Sequence, residues 1–118
     1  MAANPYVVKP ELKLETEKTP TQVTLRCSGR LVSETCEQFQ GTVRELMPTA
    51  KLLVIDMSEI SYLDSSALGI IVGLYLSSKR AGCQFKLVNL TPRVKELLSM
   101  TRLIEVLASH AQGEVFGL

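Results

Sequence analysis

Apolar and polar residues alternate over TQVTLRCSG (21–29), with Val23, Leu25 and Cys27 on one side. That period of two predicts a half-buried strand ending at Gly29. A weaker alternation at Leu12 and Leu14 in ELKLETE (11–17) predicts a strand broken by Thr19-Pro20. The two strands are expected to pair as a hairpin across the Lys18–Pro20 turn. The period then changes: Phe39, Val43 and Leu46 fall at i, i+4 and i+7, one stripe of an amphipathic helix. Ser33 is the expected cap of that helix, Glu34 and Glu37 suit its positive end, and Met47-Pro48 ends it.

KLLVIDM (51–57) is a continuous apolar run. It predicts a strand with a central place in a sheet, or one covered by helices on both faces. SEISYL (58–63) reads as a loop. A helix follows over Ser65–Arg80, and its apolar residues cover much more than one face, with Gly82 as the C′ glycine. CQFKLVNL (83–90) reads as the next strand. Thr91 then caps a helix with Pro92 at its first position. Val94, Leu97, Leu98, Leu103, Ile104 and Leu107 carry its period, with a break near Met100-Thr101. Residues 1–10, with Pro5 and Pro10, form a loose lead-in, 11–109 the domain and 110–118 an unpatterned tail. The order of elements predicts a single α/β domain, a mixed sheet of four to five strands with helices packed on it.

Composition changes this picture little. With 118 residues, 46% of them hydrophobic, one domain can bury its own core. The 13 basic and 12 acidic residues leave no electrostatic footprint for nucleic acid or an anionic membrane. The longest apolar run, Ala67 to Leu76, falls short of the ~20 residues that span a bilayer, so no membrane insertion is expected. The N-terminus has no signal-peptide pattern, and a cytoplasmic protein is the expectation. Cys27, Cys36 and Cys83 include no CxxC pair, so they read as free thiols with no metal site. No cofactor motif is present; Gly69 and Gly73 read as close-packing residues, not a phosphate loop.

The most polar tripeptide, Asp64-Ser65-Ser66, stands at the mouth of the most hydrophobic element. It has two compatible readings. As a cap, Asp64 or Ser65 accepts hydrogen bonds from the free N–H groups of the first turn, worth about 1 kcal/mol. As a switch, Ser66 takes a phosphate beside those N–H groups, so the fold tolerates about −1.5 to −2 added charges that a docked partner does not. An enzyme is not expected: His110 lies alone in the tail, and no GxSxG elbow is present.

The block LLVIDMSEISYLDSSALGIIVGLYLSSKRAG, with KLVNLTPRVKELLSMTRLIEVL, closely resembles the STAS domain family, in particular its bacterial anti-sigma factor antagonists. The resemblance spans roughly residues 11 to 109. It implies a non-enzymatic protein whose unphosphorylated form captures an anti-sigma factor that is also a serine kinase, freeing a sigma factor. It further implies phosphorylation at the second hydroxyl of the motif, Ser66, with Ser65 as second choice, and resetting by a metal-dependent phosphatase. Where the family motif has glycine, this chain has Ala67, placed against the partner in that reading. The expected partner surface comprises Asp64, Ser65, Ser66 and Ala67, with Ile60, Tyr62 and Leu63 as apolar anchors from the 58–63 loop; for Met57 and Leu63, burial in the core is expected over contact. The alternative is a STAS module acting as scaffold in a stress-signalling complex or as soluble subunit of a lipid transporter. The shortness of the chain, with no fused kinase or transporter segment, favours the free-standing antagonist.

Overall fold

A computed structural model describes residues 11–99. The elements run β1 (Leu12–Lys18), β2 (Gln22–Leu31), α1 (Ser33–Leu46), a 3₁₀ turn (Met47–Thr49), β3 (Leu52–Leu63), α2 (Ser65–Arg80), β4 (Gln84–Val88) and α3 (Pro92–Ser99). The four strands lie side by side in chain order, β1 antiparallel to β2, and β2, β3 and β4 mutually parallel. The expected hairpin forms, and Thr19 closes its turn by accepting the Gln22 N–H at 3.1 Å. The lead-in 1–10, the 103–107 part of the last helix and the tail 110–118 with His110 lie outside the described residues.

Register explains the core. Val23, Leu53 and Phe85 stand abreast on three strands, as do Leu25, Ile55 and Leu87. All six are buried on one face of the sheet, together with Phe39 and Val43 of α1 and Leu68, Ile71 and Leu74 of α2. The two helices pack against each other as well as on the sheet. The alternate residues Leu52, Val54 and Asp56 are only half-buried. The apolar run 51–57 therefore reflects a central place in the sheet, with β2 and β4 on either side. α2 ends as expected: Gly82 takes φ +71°, and the N–H groups of Gly82 and Cys83 return to the carbonyls of Lys79 and Ser78.

The three cysteines are buried free thiols. Burial, with the nearby Asp56 charge, pushes the Cys27 thiol up to about 12. The unfolded chain gives up that proton near its ordinary 9.0, so the stability this thiol contributes is intact below that pH. Denaturant melts should show stability falling as pH rises from there toward 12, and part of that fall should vanish in Cys27→Ala.

Two expectations need correction at β3. The predicted loop 58–63 is strand, and β2 runs through Gly29 to Leu31. Between Arg26↔Asp56 and Ser28↔Glu59, and again between Gly29↔Ile60 and Arg30↔Tyr62, β3 holds one residue more than β2. These are two bulges. Asp56 stabilises the first by accepting the Ser58 N–H at 2.9 Å, and the Ser61 hydroxyl donates to the Gly29 carbonyl at 3.2 Å. The bulges put Met57, Ile60 and Leu63 in the core at every third position. That spacing breaks the period of two by which a strand is read. Gly29 serves the crossing: its φ is +115°, and a Cβ there would lie 2.1 Å from the Glu11 carbonyl oxygen. Gly29→Ala should therefore cost more than about 1 kcal/mol by thermal melt, because the left-handed backbone and the start of β1 must both give way.

Candidate functional site

The second bulge delivers the chain to Asp64, where β3 ends and α2 begins. Asp64 is extended (φ −107°, ψ −179°) and is the N-cap of α2, as one of the two capping readings has it. Its carboxylate does more than cap one helix. Oδ1 accepts the Ala67 N–H at 3.0 Å, and Oδ2 accepts the Ser33 N–H of α1 at 2.9 Å. Its own N–H donates to the Leu31 carbonyl at 3.2 Å. One residue thus ties together the positive ends of two helices, through its carboxylate, and the tip of β2, through its backbone N–H.

Ser33 is accordingly not the cap of α1. Val32 occupies that position, and Ser33 is the first helical residue, its hydroxyl donating to Glu34 at 2.8 Å. Thr35 closes the turn by accepting the Val32 N–H at 3.0 Å and donating to the Arg30 carbonyl at 2.8 Å. The sequence reading missed Thr35 because a buried threonine three residues on is an unusual source of a helix-start acceptor.

Ser65 and Ser66 are both exposed. Because Asp64 takes the Ala67 N–H, the first-turn N–H groups of Ser65 and Ser66 remain open to solvent. Three of the residues expected on the partner surface belong to the core instead. Ile60 is 0%, Leu63 1% and Ala67 1% exposed, the first two turned inward by the bulges and Ala67 lying on the buried face of α2. The Ala67 methyl is thus directed at the core and not at a partner. Met57 is buried as expected. Tyr62 remains half-exposed beside Asp64 and carries two guanidiniums: Arg30 lies 5.6 Å and Arg93 5.9 Å from its ring centroid. Residues 30, 62 and 93 share no local pattern, so only the fold brings them together.

From Ser66 the open side of α2 continues through Gly69 and Gly73 to Leu76, which is 41% exposed. Among the described residues, a Cβ at either glycine would meet nothing within 4 Å. The expectation that they allow close packing inside the chain is therefore corrected. Among the described residues no cluster of His, Cys, Asp and Glu is arranged to hold a metal, and no helix is long and apolar enough to cross a membrane.

Comparison with known proteins places the fold. A model of the STAS domain matches residues 13–115. The anti-sigma-B factor antagonist of Bacillus subtilis is 34% identical over 73 residues, covering 59% of this chain and 67% of that one. Among solved structures, an anti-sigma factor antagonist from Mycobacterium paratuberculosis superposes with a TM-score of 0.72 at 20% identity, covering 81% of this chain and 82% of that one. The Bacillus cell fate determinant SpoIIAA in its phosphorylated form superposes at 0.61 with 20% identity, covering 80% of this chain and 86% of that one.

Proposed function

The chain belongs to the STAS domain family, and on that premise we propose that it is an anti-sigma factor antagonist switched by phosphorylation at Ser66. The observation that carries the reading is the exposed Ser66 hydroxyl on the first turn of a helix whose cap, Asp64, is already engaged elsewhere. Unphosphorylated, the corner is a compact docking surface for an anti-sigma factor with serine-kinase activity, and capture of that kinase frees the sigma factor. The kinase transfers the γ-phosphoryl group of ATP to Ser66. The free N–H groups of Ser65 and Ser66 and the helix dipole offset part of the new charge, so the fold persists. The docked partner meets a dianion beside the Asp64 carboxylate and leaves. A metal-dependent serine phosphatase restores the hydroxyl. The names of the relatives support this reading, as does the existence of SpoIIAA in a phosphorylated form.

The test is incubation with ATP, Mg²⁺ and each candidate anti-sigma factor kinase of the source genome, followed by mass-spectrometric mapping. Phosphate on Ser66, lost in Ser66→Ala, is the expected result. Phosphate on Ser65 alone, or none with any kinase, overturns the assignment.

The open side of α2 belongs to the same docking surface. Glycine inside a helix is less stable than alanine by roughly 0.5–1 kcal/mol, and nothing among the described residues requires it at 69 or 73. Gly73→Ala should raise the melting temperature by a few degrees while weakening capture of the kinase, because a methyl now stands where the partner backbone approaches. Melting and binding measured on one preparation check both signs.

A further inference from the structure

Resting on the reading above, we propose that Arg30, Tyr62 and Arg93 form a cationic platform that receives an acidic segment of the kinase beside the Ser66 corner. The three residues come from the end of β2, the end of β3 and the first turn of α3. Arg30 and Tyr62 are neighbours in the parallel register, and both guanidiniums lie within 6 Å of the one ring, at 5.6 and 5.9 Å. The platform is continuous with the switch: Tyr62 stands two residues before Asp64, and Leu31, next to Arg30, accepts the Asp64 N–H.

The stability of the domain gives no reason for this arrangement. Two like charges share one aromatic quadrupole, which weakens the attraction available to each. Arg93 also stands in the first turn of its own helix, where the dipole disfavours a cation. Its salt bridge, to Glu96 at 3.7 Å, is an exposed i,i+3 pair of small worth. Arg30 is exposed and forms no salt bridge among the described residues. A carboxylate brought by another molecule relieves all of these at once. It neutralises the repulsion and accepts forked N–H donors that the Tyr62 ring holds in place. The guanidiniums lie 5.6 and 5.9 Å from the ring centroid, and among the described residues no hydrogen bond occupies the Arg30 guanidinium N–H donors. The partner is therefore a protein surface rich in Asp and Glu where it meets this corner. Its engagement sets the register in which Ser66 enters the kinase.

The test uses the kinase found to phosphorylate Ser66, with its affinity measured on a Ser66→Ala background so that no turnover intervenes. The double variant Arg30→Gln/Arg93→Gln should bind at least tenfold more weakly. Its affinity should also respond less steeply to salt between 50 and 300 mM, while circular dichroism and melting stay as in the parent. Arg44→Gln at the far end of α1 is the control and should bind as the parent does. Unchanged affinity and unchanged salt slope in the double variant, with Ser66 still phosphorylated in the parent, overturn the platform and leave the switch standing. A phosphorus-31 titration of the Ser66-phosphorylated chain separates the remaining source of negative charge. If the double variant raises the phosphate's second pKa but binds the kinase normally, the guanidiniums serve the chain's own phosphate and the proposal is wrong.

Discussion

On the proposed switch, Ser66→Asp should bind the anti-sigma factor kinase at least about 100-fold more weakly than Ser66→Ala, with both proteins folded. Ser66 is exposed, so neither replacement opens a cavity or buries an unpaired group, and each should melt within about 0.5 kcal/mol of the parent. Binding behaves differently. A carboxylate one residue past Ser65 must be desolvated beside Asp64 when the partner closes over the corner. Like charges juxtaposed in an interface cost several kcal/mol, and each 1.4 kcal/mol is a factor of about ten. Phosphoserine, with nearly twice the charge, should exceed the effect of aspartate. Calorimetry of the two variants against the kinase checks it, and equal affinities would remove charge from the mechanism.

Asp64→Ala should lose about 2–3 kcal/mol of stability, a drop of roughly 10 °C in melting temperature. The reason is the double duty of the carboxylate, which accepts the Ala67 N–H at 3.0 Å and the Ser33 N–H at 2.9 Å. A simple cap is worth about 1 kcal/mol. Here a second charge-assisted hydrogen bond is added, discounted because Asp64 is only half-buried and water replaces part of what is lost. Asp64→Asn keeps one acceptor oxygen and should lose about half as much. Melts of the three proteins in the same buffer decide it. A loss of 1 kcal/mol or less in Asp64→Ala would mean that the tie to α1 carries no weight.

Much of this was legible in the sequence, and what was missed has a physical pattern. The hairpin, the order of the helix–strand units, the Gly82 terminus and the Thr91-Pro92 start all follow from local rules, and all are found in the fold. Asp64 as a cap and Ser66 as an exposed hydroxyl were readable for the same reason. The failures are non-local. β3 was cut short at residue 57 because two bulges turn its inward positions from every second to every third residue, and that spacing imitates irregular chain. Ile60 consequently reads as a surface anchor although it is buried. Ser33 reads as a cap because the acceptor of its own N–H, Asp64, lies 31 residues away and no local window shows it. The Tyr62 platform draws on three separate elements, and no window of sequence contains it.

The bond from the Ser33 N–H to Asp64 has one more consequence. The corner around Ser66 does not exist in any continuous stretch of polypeptide. It is assembled only when the end of β2 and the end of β3 lie in register, parallel strands that cannot pair until the whole of α1 has crossed between them. A synthetic peptide carrying LDSSALG presents the right letters without the tethered helix start. An emerging, half-made chain on the ribosome does the same. On the proposed function, a kinase that reads this corner would therefore recognise only chains in which β2, α1 and β3 have come together.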